Sequence, residues 1–258
     1  MKNLLIIIIV ITITPSFALA QRDSIPSGIY HWKTPTQKIQ KNIYSATLFD
    51  GSVRDMEYVQ MTANTILQTK DKSEFGVPDN EEQLIFIKKG ILSIGIKDST
   101  WSVVAGSMAL LMPGEKYSLQ NTTKDSVQYY VIKYRSKQAA NKSRGIVSGG
   151  SLVKDWNKIK FTPNERGGGR KYFERPTAMC KRLEMHATTL KEGIRSHAPH
   201  THRAEEMVLV LDNKVEIQIG DKSYKGSAGD VYYLGSYMLH GTQNDSKGLC
   251  TYLAFQFE

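Results

Sequence analysis

Laid on itself with an offset of 123 residues, the chain repeats: Gln83 to Asn121 aligns with Glu206 to Asn244 without a gap. Ile94 and Ile217, Ile96 and Ile219, Asp98 and Asp221, Ala105 and Ala228, Gly106 and Gly229, Leu111 and Leu234, Gln120 and Gln243, and Asn121 and Asn244 coincide. Two copies of one unit must bury the same apolar pattern twice, so the chain is expected to build two similar modules. The segments concerned are of strand type: MEYVQMTA from Met56, EQLIFIKKGILSIGI from Glu82, QYYVIKYR from Gln128, MCKRLEMHATTL from Met179, EMVLVLDNKVEIQIG from Glu206 and CTYLAFQF from Cys250. They are rich in β-branched and aromatic residues, separated by Gly, Asn, Asp and Ser. No long helical period occurs. The expected class is all-β, with two antiparallel barrels in tandem.

The repeat sets the expected domains: an N-terminal module over 21–135, a connection over 136–176 and a C-terminal module over 177–258. The connection carries GIVSGG and NERGGGRKYFERP, whose glycines suit a loop-rich link or a mobile flap. A phosphate cradle would need a strand-then-helix context, which is missing. Ahead of the modules, residues 1–20 place Lys2 before an apolar run from Leu4 to Ile13 and end on Ala18-Leu19-Ala20. That is the order of a secretory signal peptide cleaved before Gln21. The run is about half the roughly 20 residues of a membrane-spanning helix, so a secreted or periplasmic protein without a membrane span is expected.

The net charge of +9 is scattered rather than gathered into a basic stripe with interleaved aromatics. It reads as a solvated surface, not a nucleic-acid interface, and is compatible with an anionic small molecule. Cys180 and Cys250 cannot form a disulfide framework; export would permit one bridge, the alternative being two buried thiols.

The densest chemistry lies in HAPHTHRAEE, His197 to Glu206. Successive side chains of a strand alternate faces, so His200, His202 and Glu206 point inward together while Glu205 is expected to face outward. His197 has the other parity, although Ala198-Pro199 can reset it. His240, in GDVYYLGSYMLHGTQN, supplies a fourth ligand. Three imidazoles and a carboxylate suit one divalent transition metal (Mn, Fe, Ni, Co or Zn) with positions left open for water or substrate. The offset maps these four onto Val77, Asp79, Gln83 and Tyr117, which are no ligand set, so the N-terminal module is expected to be metal-free. His197, His186 and Glu184 are the candidate proton-moving catalytic residues, since RLEMH puts Arg182, Glu184 and His186 on one strand face. Arg182 and Tyr237 are candidate substrate contacts. Trp101, Tyr224, Phe255 and Phe257 read as packing residues.

The pattern H-x-H-x3-E at His200, His202 and Glu206, followed by G-x10-H-x3-N at Gly229, His240 and Asn244, resembles the two motifs of the cupin superfamily. The resemblance implies double-stranded β-helix, jelly-roll-like barrels and a metal on three histidines and a glutamate. It departs at Asn213, where the first motif ends in Gly, and at Gly235 and Tyr237, where the second has Pro and Gly. The chain as a whole also resembles the (S)-ureidoglycine aminohydrolase family of manganese bicupins, through GDVYYLGSY and EMHATTLKEGIRSHAPHTH, where His186, Ser196 and His197 have counterparts. That family uses a Glu, His, His, Gln ligand arrangement, whereas His200, His202, Glu206 and His240 stand here. The leading expectation is an exported metal-dependent bicupin enzyme acting on a small polar or anionic metabolite by isomerase, lyase, hydrolase or dioxygenase chemistry. The alternatives are a ureidoglycine aminohydrolase-like enzyme and a non-catalytic sugar- or small-acid-binding protein. Cupins often pair through their sheets, so a homodimer is expected by analogy.

Overall fold

Strand Glu205–Asp212 shows why the sheets stack as they do. Met207 and Leu209 point one way, Val208 and Val210 the other, and all four are buried. The repeat-equivalent strand Glu82–Lys89 does the same, with Leu84 and Phe86 opposite Ile85 and Ile87. A strand apolar on both faces must lie between two other layers.

The computed structural model describes residues 24–258 and supplies those layers; the expected signal peptide, 1–20, lies outside the described residues. Two seven-stranded antiparallel sheets face each other across the central core. One contains, in spatial order, Leu152–Lys154, Met108–Leu111, Glu82–Lys89, Val127–Ser136, Met56–Ile66, Ile43–Gly51 and Gln37–Gln40. The other contains Gly28–Tyr30, Val231–Leu234, Glu205–Asp212, Cys250–Phe257, Leu183–Leu190, Gly167–Arg175 and Thr162–Asn164. A four-stranded sheet closes the N-terminal barrel and a three-stranded sheet of Lys222–Ser227, Lys214–Ile219 and His240–Asn244 closes the C-terminal one, each over its own apolar core. The protein is thus all-β, two jelly-roll-like barrels in tandem. Phe255 and Phe257 lie in the central core, where Phe86 stacks on Phe255 with ring centroids 5.4 Å apart. Trp101 and Tyr224 pack against the two barrel cores.

This layering corrects one expectation. Glu205 does face away from Glu206, but the far side of its sheet is the other barrel rather than solvent, and Glu205 is buried. Its Oε1 accepts from the Arg54 backbone N–H at 2.9 Å and the Tyr233 hydroxyl at 2.7 Å. Its repeat equivalent Glu82 mirrors it, accepting from the Ala178 N–H at 2.7 Å and the hydroxyls of Thr177 and Tyr134 at 2.6 and 2.9 Å. Each barrel thus holds the other through a buried carboxylate. Edge strands add to this: Gly28–Tyr30 crosses to pair with Val231–Leu234 of the C-terminal barrel, and Leu152–Lys154 of the connection pairs with Met108–Leu111 of the N-terminal one.

Segment 136–176 is more ordered than its glycines suggested. Besides Leu152–Lys154 it contains the hairpin Thr162–Asn164 and Gly167–Arg175, which extends the C-terminal sheet. At Gly167, with φ +145°, a Cβ would fall 2.2 Å from the Thr189 carbonyl oxygen; glycine is needed there for close strand approach, not for a mobile flap. The cysteines are free and buried in different cores, Cys180 in the central one and Cys250 in that of the C-terminal barrel. Burial raises both thiols, Cys250 to about 11. Among the described residues no helix is long and apolar enough to cross a membrane.

Candidate metal centre

The ligand candidates converge by a route that differs from a continuous strand. His200 stands outside the regular strands, held by an isolated bridge in which its backbone N–H and carbonyl exchange bonds with His240 at 2.9 and 3.0 Å. Gly241 eases this approach, since a Cβ there would crowd Pro199 at 3.2 Å. The chain then bends at Arg203-Ala204 before strand Glu205–Asp212 begins. The residues expected from alternation are thus brought together by the bridge and the bend rather than by one extended strand. Asn244, at the end of the second motif, serves the turn: its Nδ2 donates to Leu190 and Gly248 carbonyls and its Oδ1 accepts from Ser246. Asn121 does the same in the N-terminal barrel.

One ligand atom from each of His200, His202 and His240 lies within 4.8 Å of the others. The Nδ1–H groups of His202 and His240 donate to the carbonyls of Ala204 and Met238, each at 2.8 Å. Such bonds fix the rings and turn both Nε2 atoms inward. Glu206 Oε2 lies 3.1 Å from His202 Nε2 and 3.4 Å from His240 Nε2. Burial works against the Glu206 charge, but the neighbouring His202 and His240 imidazoles outweigh it and bring its pKa down to about 2. Burial, with His197, His240 and His202 nearby, lowers His200 below the ordinary imidazole range, whereas the bond to Glu206 raises His202. His200 Nδ1 and His240 Nε2 are buried without a hydrogen-bond partner. Buried polar atoms are nearly always satisfied. Two orphan imidazole nitrogens beside an ionised carboxylate are a donor set that fits a divalent transition metal.

The N-terminal barrel satisfies the equivalent atoms internally. Tyr117 donates to Gln83 Oε1 at 3.0 Å, and Gln83 Nε2 donates to Glu81 at 2.8 Å. Asp79 pairs with Lys142 at 2.6 Å, and Val77 is apolar core. Among the described residues the group that could hold a metal is the C-terminal histidine triad.

The remaining candidates divide. Glu184 and His186 line a polar cleft of about 450 Å³ together with His197, Ser196, Thr188, Tyr252, Arg166 and Lys171. His186 Nδ1 lies 3.3 Å from Glu184 Oε1, and the exposed His197 ring packs edge-on against His200 with centroids 4.2 Å apart. Arg182 uses all three of its side-chain nitrogens: Nε donates to Glu174 at 3.0 Å, Nη1 to Gln256 at 3.3 Å, and Nη2 to Glu184. Tyr237 stands apart, exposed at φ +60° with its ring 5.6 Å from the Arg54 guanidinium. Its backbone N–H, not its ring, serves the site, by donating to the His202 carbonyl at 2.8 Å. Gln256 was missed in the sequence, although it shares the parity of Tyr252 and Ala254 and opposes Phe255 and Phe257. A lone polar residue on the barrel face of an apolar strand was the available signal.

Residues 187–255 match the family model described as Cupin domain. No curated protein matches the chain. Among solved structures, AerE from Microcystis aeruginosa superposes with a TM-score of 0.66 at 14% identity, covering 89% of this chain and 99% of its own. Protein YlbA from E. coli gives 0.68 at 12%, covering 93% and 95%. Oxalate decarboxylase from Lactobacillus farciminis, in its formate complex, gives 0.64 at 10%, covering 90% and 86%. At such identities the likeness is one of fold: both barrels together have the bicupin architecture, and the C-terminal one carries the cupin signature with its histidine triad.

Proposed function

We propose that this chain is an exported metalloenzyme that binds one divalent transition metal through His200, His202, His240 and Glu206 and acts on a small polar or anionic metabolite. The observation that carries the reading is the pair of buried, unpartnered nitrogens, His200 Nδ1 and His240 Nε2, set beside the ionised Glu206. A metal held there polarises a carbonyl or hydroxyl oxygen or lowers the pKa of a water. The cleft lined by His197, whose ring packs on His200, supplies the rest. Arg166 and Lys171 give it a cationic wall, and its one carboxylate, Glu184, is already paired with Arg182 and His186. The Glu184 contact steadies the His186 ring, which is the general base or acid of this reading; His197 at the cleft edge is the second group able to move a proton. Export rests on the residue order of 1–20. Isomerisation, lyase chemistry, hydrolysis and oxygen-dependent cleavage all fit one open metal position and one imidazole.

A screen of small carboxylates and hydroxy acids, aerobic and anaerobic, with and without chelator, tests this function. Turnover is expected to vanish on chelation and return with added metal, and His186→Ala is expected to lower kcat about 10²- to 10⁴-fold at unchanged metal content. Saturable binding of such a molecule without any product would instead mark a binding protein.

A further inference from the structure

Strand Cys250–Phe257 places one polar side chain in the barrel beside Glu206. Gln256 stands in register between Glu206 on one neighbouring strand and Glu184 on the other. Its Oε1 accepts from Arg182 Nη1 at 3.3 Å, and its Nε2 donates to Glu206 Oε2 at 3.1 Å, 3.5 Å from His202 Nε2. Chemistry allows only this orientation. Reversal would set the amide NH2 against a guanidinium, which has only donors, and the amide oxygen against a carboxylate, which only accepts. Arg182 is itself immobilised and neutralised by Glu174 and Glu184, so the amide is aimed by a fixed group.

We propose that Gln256, oriented by Arg182, is a positioning residue that holds Glu206 Oε2 toward the imidazole nitrogens and so sets the metal affinity of the site. The inference rests on the metal centre proposed above. Without the amide, the Glu206 carboxylate keeps freedom about its last torsion and must be ordered when metal binds. The N-terminal barrel supports the assignment independently: its residue at the Gln256 position is Lys133, in register with Gln83, the counterpart of Glu206. An ammonium there disfavours a neighbouring cation, and that barrel has no ligand set to serve. Gln256 thus changes with the ligands rather than with the scaffold.

The test is a titration of the metal-free full chain with Co²⁺, followed by its visible d–d absorption, with melting temperatures recorded for every variant. Gln256→Met keeps the side-chain length and removes both hydrogen bonds; its cobalt dissociation constant is expected to rise about 10- to 100-fold, with shifted bands. Arg182→Met is expected to weaken binding in the same direction. The double variant is expected to bind no more weakly than Gln256→Met, because Arg182 acts through the amide. Gln256→Glu, which keeps the acceptor for Arg182 and replaces the donor toward Glu206 with a second carboxylate oxygen, gives a second reading and is also expected to shift the bands. Affinity within about twofold of the unsubstituted chain, with unchanged bands, in Gln256→Met and Gln256→Glu overturns the inference while leaving the metal centre standing. Failure of the unsubstituted chain to bind cobalt overturns both.

Discussion

His202→Ala is expected to empty the C-terminal barrel of metal. Structural zinc sites bind with about 10–16 kcal/mol shared among four ligands, so one imidazole accounts for about 3 kcal/mol, roughly a 100-fold or larger loss of affinity. The loss should exceed that of an exposed ligand, because removing the ring also frees Glu206 from its 3.1 Å contact and leaves the carboxylate buried with one imidazole fewer. Elemental analysis after gel filtration is expected to find about one transition metal per chain of the unsubstituted protein and none in the variant. Metal retained at full occupancy in His202→Ala would remove this residue from the ligand set.

Glu82→Ala is expected to loosen the junction of the barrels without touching the metal. It leaves the Ala178 N–H and the Thr177 and Tyr134 hydroxyls buried without their acceptor. At about 1 kcal/mol or more for each unsatisfied group, the unfolding free energy falls by ~3 kcal/mol, which for a chain of this size lowers Tm by about 6–12 °C. Differential scanning calorimetry checks the shift; a Tm unchanged in Glu82→Ala would mean that the carboxylate does not hold the barrels together. The pH dependence has a definite sign. Burial raises Glu82 and Glu205 above the ordinary carboxylate range. The folded chain then keeps protons that the unfolded chain releases, so this contribution to stability is full below the ordinary carboxylate range and declines as pH rises through the raised values. Glu82→Gln, which cannot titrate, is expected to show a smaller decline over that window.

The repeat and the alternation made much of this architecture readable in advance. Ile94 with Ile217 and Leu111 with Leu234 set the register, and the continuous apolar runs marked the strands. Alternation says which side of a strand a residue takes but not what covers that side, and for that reason Glu205 read as outward when the second barrel buries it. Pairing partners are equally silent in a local pattern: nothing within Gly28–Tyr30 shows that it crosses to the C-terminal barrel, nor within Leu152–Lys154 that it joins the N-terminal one. Gly167 to Gly169 read as loop because glycine composition reports backbone freedom and cannot show that the freedom is used for close strand packing. At the site, parity singled out His200, His202 and Glu206 and the second motif His240, and the structure brings these four side chains together, since residue type and spacing are visible in a sequence. Gln256 escaped because an amide at one strand position acquires its role only from Arg182 and Glu206, 74 and 50 residues away.

That the C-terminal barrel holds one metal while its N-terminal twin holds none is tested most directly by anomalous diffraction from crystals grown with Mn²⁺ or Zn²⁺, measured across the absorption edge of the metal. One peak per chain is expected, enclosed by His200, His202, Glu206 and His240. A peak beside Gln83 and Tyr117, or a C-terminal barrel without one, would contradict it.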